Sequence, residues 1–209
     1  MKNLKIESLV LGNVQTNCYF LMNMQTRELL IVDPADEFFR IERKVAEMEA
    51  KPAAVLLTHG HYDHMTAADE VRRRYGVEVY AHELEQEVLG DPIKNLSGMW
   101  ASAHTMRADK TVKDGDVLNL AGFQIRVIHT PGHTQGSVCY YFPEEKTLIS
   151  GDTLFAQSVG RTDFPTSDVR KMRQSIRTLL ETLPADTAVY PGHMEDTTIG
   201  YEKRYNPFA

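Results

Sequence analysis

Thr58-His59-Gly60-His61-Tyr62-Asp63-His64 sets three imidazoles and a carboxylate within seven residues, a density of first-row metal ligands that packing alone does not demand. Burying a polar group without a partner costs roughly 2–7 kcal/mol, so a purely structural reading of this cluster is disfavoured. Directly before it runs Ala53-Ala54-Val55-Leu56-Leu57, a short apolar run that reads as a buried strand. The ligands therefore sit at a strand's C-terminal end, where open α/β sheets place their sites.

Upstream of this point, residues 4–11, 16–23 and 28–33 read as strands, the last ending at the turn signal Asp33-Pro34. From Asp36 the apolar residues Phe38, Ile41, Val45 and Met48 form a helical stripe that Lys51-Pro52 stops. Downstream, Thr66 to Tyr75 fits a helix closed by Gly76, residues 78–81 fit a strand, and residues 82–89 fit a second helix closed by Gly90. Residues 91–113 carry Met99, Trp100 and Met106 without clear periodicity and read as a lid over the site, because connections of that length are usually functional or mobile.

The second half repeats the style, with strands at 116–120, 123–129, 136–142 and 146–150. A helix capped by Thr166-Ser167 then buries Val169, Met172, Ile176, Leu179 and Leu183 before Pro184, and residues 187–190 form a last strand. Two halves, each β-meander first and helix and strand later, predict an α/β (α+β) fold: two sheets face to face with helices outside, a four-layer αβ/βα sandwich. With 209 residues, 42% of them apolar, a single domain over 1–209 is expected. No short repeat suggests a solenoid.

The net charge of −6 is spread along the chain with no basic block of five, which argues against a nucleic-acid partner; Arg72-Arg73-Arg74 fits a solvated helix face. No 18-residue apolar run occurs, and the strand-like pattern around Lys2 and Lys5 is unlike a signal peptide, so no membrane partner is expected. Cys18 and Cys139 lie in strand-like segments and fit free buried thiols in a reducing cytoplasm.

Three further ligand candidates share one context: His133 in Thr130-Pro131-Gly132-His133-Thr134, Asp152 in Ser150-Gly151-Asp152-Thr153, and His193 in Tyr190-Pro191-Gly192-His193. Each follows a strand directly, and the glycines permit tight turns that bring side chains to a common point. Five histidines (His59, His61, His64, His133, His193) and two aspartates (Asp63, Asp152) exceed one tetrahedral centre. About three protein ligands per catalytic ion leave room for water, so seven serve two ions only if one is shared. Asp152 is the natural bridge, since a carboxylate offers two oxygens to ions about 3.5–4 Å apart. Imidazole and carboxylate without thiolate suit two divalent ions, zinc first, with iron or manganese compatible. A hydroxide bridging them would be a nucleophile at neutral pH, and the formal charge of about +1 there would favour a small anionic substrate.

The ordered set from Thr58–His64 through His133, Gly151-Asp152 and Gly192-His193 resembles the metallo-β-lactamase superfamily over nearly the whole chain. Within it the chain is most similar to the glyoxalase II group, the hydroxyacylglutathione hydrolases, through Thr16-Asn17-Cys18-Tyr19, Gly151-Asp152-Thr153-Leu154-Phe155 and Gly160-Arg161-Thr162-Asp163. That resemblance implies His59, His61 and His133 on one ion, Asp63, His64 and His193 on the other, and Asp152 between them. It implies a thioesterase acting on acylated glutathione, with Asp63 orienting the bridging hydroxide or taking its proton. Only 16 residues follow His193, so the glutathione-gripping helical domain of longer members is not expected.

Persulfide dioxygenases share the Gly160–Phe164 type of segment and hold one iron through the equivalents of His59, His133 and Asp152, which is the alternative reading. A secreted β-lactamase would carry a signal peptide and, in its commonest type, a Cys in place of Asp152. A closed structural zinc site would be rich in Cys. Around the ligands, His129 is expected to pack rather than ligate, and His82 and His104 to lie at the surface or rim. Tyr62 leans over the pocket or packs. Arg161 clamps a substrate carboxylate or pairs with Asp163. Met99, Trp100 and Met106 line the mouth or pin the lid. Nothing in the sequence sets the oligomeric state.

Overall fold

In the computed structural model, which describes residues 3–209, the chain opens with an antiparallel meander of β1 (Leu4–Leu11), β2 (Thr16–Asn23) and β3 (Glu28–Val32). Helix α1 (Phe38–Glu47), which buries Ile41 and Val45, crosses over to β4 (Lys51–Leu56), laid parallel to β3. The register slips by one residue between Leu29, opposite Pro52, and Leu30, opposite Ala54. A bulge at that point tolerates a proline that has no N–H for the ladder.

After β4 come α2 (Tyr62–Met65), α3 (Ala68–Tyr75), β5 (Glu78–His82), α4 (Glu85–Leu89), α5 (Ser97–Trp100) and β6 (Lys110–Val112), with β4, β5 and β6 all parallel. Three expectations change here. The helix expected from Thr66 starts at Ala68, and a separate single turn before it, α2, carries Asp63 and His64. The helix expected from residue 82 starts at Glu85, because His82 still pairs with Val112 in the sheet. The 91–113 segment is built rather than irregular: it contains α5 and contributes the edge strand β6.

The second sheet begins as a meander of β7 (Val117–Leu120), β8 (Phe123–His129), β9 (Val138–Phe142) and β10 (Thr147–Gly151). A hairpin of β11 (Leu154–Phe155) and β12 (Ser158–Val159) comes next, then α6 (Val169–Thr182), β13 (Ala188–Pro191) parallel to β10, β14 (Thr197–Thr198) and α7 (Ile199–Tyr205). The cap of α6 is Asp168, whose carboxyl accepts from the amides of Arg170 and Lys171, not Thr166-Ser167; the hydroxyl of Ser167 instead donates to the carbonyl of His133. Val169 at the helix start is exposed, while Met172, Ile176 and Leu179 are buried as the spacing predicts. The last two elements, β14 and α7, lie beyond any expectation from the sequence.

Side-chain alternation turns these strands into four layers. On β2, Cys18, Phe20 and Met22 face α1 and α3 together with Leu29, Ile31, Val55 and Val71. Their neighbours Tyr19 and Leu21 point the other way, with Leu30, Val32 and Leu56, to meet Phe123, Ile125, Val127, Tyr140 and Ile149 of the second sheet. The far face of that sheet presents Ile128, Cys139, Tyr141 and Leu148 to Met172, Ile176 and Leu179 of α6. Three apolar seams between helix, sheet, sheet and helix are the αβ/βα sandwich, since a strand with period-2 alternation and both faces apolar must bury both. Both cysteines are buried and free. Among the described residues no helix is long and apolar enough to cross a membrane.

Leu56 sits fully buried between the two sheets, so Leu56→Ala is expected to lower unfolding free energy by about 2–5 kcal/mol in urea titrations. Val117→Ala, at a half-exposed position, should stay within about 0.5 kcal/mol of the parent.

Candidate metal centre

All seven ligand candidates meet at one edge, where β4, β10 and β13 end. The chain leaves β4 through Thr58, His59, Gly60 and His61, then closes into the single turn of α2, which aims Asp63 and His64 back at the strand end. His133 stands in the turn joining β8 to β9. Because β10 and β13 run parallel, Asp152 and His193 emerge on the same side, and the amide of Gly192 donates to the carbonyl of Gly151 at 2.9 Å. A Cβ at Gly192 would run into Asp152 Oδ1 and come within 2.7 Å of His64 Cε1, so only glycine lets these two donors approach.

Three donor triads result, each with its ligand atoms within 4.8 Å of one another: His59, His61 and His133; His59, His64 and Asp152; Asp63, His64 and His193. Asp152 stands between the outer two. Its Oδ1 is 3.4 Å from His64 Nε2, and its Oδ2 is 3.4 Å from His133 Nε2 and 3.5 Å from His193 Nε2. Asp63 Oδ2 is 3.6 Å from His64 Nε2 and 3.4 Å from His193 Nε2. His61 presents Nδ1, 2.9 Å from His133 Nε2.

The surroundings decide which ring nitrogen is free. The Thr58 hydroxyl donates to Asp33 Oδ2 at 2.7 Å and so accepts from His59 Nδ1 at 3.1 Å, leaving the His59 Nε2 lone pair inward. His64 Nδ1 donates to the same Asp33 oxygen at 3.0 Å, and His133 Nδ1 to the carbonyl of Arg161 at 2.8 Å. Lone pairs aimed inward are what a cation needs. His59 Nε2 and Asp152 Oδ1 are buried without a hydrogen-bond partner among the described residues. The donor set fits one or more divalent ions.

Charge within the cluster follows the same geometry. Burial, and then the imidazoles around them, push His59 and His61 well below the usual histidine range, which keeps them neutral. Burial also lowers His133, against the pull of Asp152. For His64 burial is overcome by Asp152, Asp63 and Asp33, which drive it up to about 10. His193 rises likewise, burial being overcome by Asp63 and Asp152 together. Asp63 itself is held well below the carboxylate range: burial opposes this, but His64 and His193 prevail.

Two supporting carboxyls lie outside the ligand set read from the sequence. Asp33, half of the Asp33-Pro34 turn signal, adopts a left-handed backbone (φ 49°) at the end of β3 and also accepts from the amide of Thr58 at 2.8 Å. An aspartate closing the strand beside the ligand strand is the signal that could have found it. Glu85 is fully buried and accepts from the amides of Gly60 and Gly136 and the hydroxyl of Thr134, tying together the loops of His59–His61 and His133. Burial pushes its carboxyl up to about 7 despite those three donors. No pattern in the sequence announces it.

The Thr16–Tyr19 motif also finds a job. Asn17 Nδ2 donates to the carbonyls of Pro191 and Met194 at 3.0 and 2.9 Å, and the Tyr19 hydroxyl to Pro191 at 2.7 Å, fastening the His193 loop. His129 packs, as expected. His82 is not at the rim: it is buried and stacks on His129, ring centroids 4.1 Å apart. His104 is half-buried and lines a side chamber with Tyr62 and Trp100. Arg161 pairs with Asp163, Nε to Oδ1 at 2.9 Å and Nη2 to Oδ2 at 2.7 Å. Trp100 lines the pocket over the ligands, whereas Met106 is buried in the core.

A family model described as the metallo-beta-lactamase superfamily matches residues 11–193, ending on the last ligand. The chain belongs to this superfamily. Among its relatives, the hydroxyacylglutathione hydrolase GloC of Haemophilus influenzae is 33% identical over 208 residues, 98% of either chain. The BLEG-1 B3 metallo-beta-lactamase structure is 38% identical and superposes with a TM-score of 0.92, covering 98% of this chain and 99% of that one. TTHA1623, crystallised in a di-iron-bound form, is 32% identical with a TM-score of 0.86, covering 97% and 100%. The superfamily fold is thus the four-layer sandwich described above.

Within this superfamily member, Asp33→Asn should replace an acceptor by a donor beside Thr58 and His64 and weaken metal affinity about 10–100-fold with the circular dichroism unchanged, as read by competition with a chromogenic chelator. The ion must also displace a proton from His64, whose pKa is driven up to about 10. Affinity should therefore fall as pH is lowered from 8 to 6, by about tenfold per unit for each proton displaced, in the same competition assay.

Proposed function

We propose that this protein is a metal-dependent thioester hydrolase acting on acylated glutathione, with zinc as its native ion. The observation that carries the reading is the pair of donor sets meeting at Asp152, at the floor of a pocket of about 410 Å³. His59, His61 and His133 would hold one ion, Asp63, His64 and His193 the other, with Asp152 shared. Two divalent ions there supply a polarised carbonyl and a water of lowered pKa.

The chain's own residues do the rest. Asp63 receives the Thr16 hydroxyl on Oδ2 at 3.0 Å, which fixes its orientation. Held as a carboxylate by its histidine neighbours, it is a weak base, so it orients the attacking water by accepting its hydrogen bond rather than storing its proton. The rings of Phe155 and Phe164, standing edge-on to His193 at 6.2 Å and to His61 at 5.4 Å, limit the water that reaches the floor. A thiolate leaves readily without a strong general acid. The hydrolase named among the relatives supports the thioester reading. Two free buried thiols are consistent with a reducing cytoplasm.

Asp63→Ala and His133→Ala are each expected to lower lactoylglutathione hydrolysis by at least about 100-fold while the protein stays folded. Metal content and activity measured on one preparation test the reading itself. Two ions per chain with thioester turnover support it; one iron per chain with oxygen consumption on glutathione persulfide, or turnover of a β-lactam alone, overturns it.

A further inference from the structure

The pocket over the donors is unevenly built. Beyond the ligands, most of its wall is apolar, formed by Val14, Leu96, Trp100, Phe155, Phe164 and Met194. Trp100 and Met194 are each 54% exposed, so hydrocarbon faces water at the mouth. Apolar surface of this kind gains about 25 cal/mol per Å² when a ligand covers it.

The aromatic wall is continuous from rim to floor. Trp100 meets Phe164 edge-on with centroids 5.4 Å apart, and Phe164 stands edge-on to His61 at 5.4 Å and His133 at 5.8 Å. Among the described residues lining the pocket Arg161 is the one Lys or Arg, and its charge is shared with Asp163. Its fork is closed on Asp163, and its guanidinium lies 4.5 Å over the Phe164 ring. Arg161 therefore backs Phe164 while sharing its charge with Asp163 in an exposed pair.

Glutathione carries two carboxylates and an ammonium, which charged partners would have to recognise. Among the described residues this pocket offers them one cation, Arg161, already paired with Asp163, but it offers aromatic surface beside the reacting centre. Room is ample, since a dry cavity of about 150 Å³ suffices for a benzene ring.

We infer that the pocket selects its thioester by the acyl group, taking an apolar, aromatic acyl chain against Trp100 and Phe164 while holding the thiol carrier loosely. The inference rests on the hydrolase reading. In the reaction, water oxygen bonds to the carbonyl carbon, the C–S bond breaks, and the products are a carboxylate, a free thiol and one proton.

Trp100 is the sole tryptophan, so its fluorescence reports occupancy directly. Thioethers with no scissile carbonyl serve as binding probes: S-benzylglutathione, S-methylglutathione and S-benzyl-N-acetylcysteamine. Both benzyl compounds should bind at least about tenfold more tightly than the methyl one, and Phe164→Ala should remove that difference. In turnover, phenylacetyl thioesters should exceed lactoyl thioesters at least about tenfold in kcat/KM, on glutathione and on N-acetylcysteamine alike. Trp100→Ala should bring that ratio to about one. Equal or better turnover of the lactoyl esters, or a preference of about tenfold or more for the glutathione carrier, overturns the inference and leaves the hydrolase reading standing. Failure of the metal-loaded protein to cleave any thioester overturns the hydrolase reading as well.

Discussion

Four of the five histidines at this centre are deeply buried, and their ring nitrogens depend on partners in the scaffold as well as on one another. A neutral ring has one nitrogen that donates and one that accepts, so a ring turns a lone pair inward where its outward N–H finds an acceptor in the scaffold, as three of the rings do; His61 Nε2 has no such partner among the described residues. Asp33 takes His64, the Thr58 hydroxyl relays for His59, and the Arg161 carbonyl takes His133. The requirement reaches into the fold: it explains why Asp33 accepts a left-handed backbone at the end of β3 and why the 160–164 loop folds back over His133. The sandwich delivers strand ends to one edge, and these acceptors turn that edge into a set of inward lone pairs.

Much of this is legible in the sequence for one physical reason: strands and ligands carry local signals. Ala53 to Leu57 is apolar because β4 is buried on both faces, and a ligand directly after such a run has nowhere to go but the sheet edge. Period-2 alternation likewise forecasts two sheets. The hidden part depends on contacts distant in sequence. Glu85 reads as one more acidic residue near a helix start, and only the folded chain brings the amides of Gly60 and Gly136 to it. His82 looks exposed because polar residues lie just beyond it, but its ring is covered by His129, 47 positions away. The cap of α6 is ambiguous because Thr166, Ser167 and Asp168 all qualify locally; the choice falls to Asp168 because Ser167 is drawn to the His133 carbonyl.

The 91–113 segment covers the site with Leu96 and Trp100, as a lid would, but is more ordered than its sequence suggests. Its lack of periodicity suggests a functional or mobile connection, yet Asn95 Nδ2 donates to the carbonyl of His104 at 2.8 Å and the Ser97 hydroxyl donates to the same carbonyl at 3.1 Å. The chain between them is thereby drawn into a closed loop presenting Trp100, and residues 110–112 beyond it join the sheet as β6. Irregular dihedrals held by side-chain bonds leave no hydropathy signature.

Gly192 has a consequence for how such a protein can diverge. With Asp152 and His64 filling the space where its side chain would be, no replacement is sterically open there while both donors keep their places. At the mouth, the side chains of Val14, Trp100 and Met194 are exposed and none is among the metal-donor candidates, so a lineage can exchange them. Descent with changed appetite and unchanged chemistry is built into that division: the rim can drift from one substrate to the next, while the floor allows no neighbouring solution to explore.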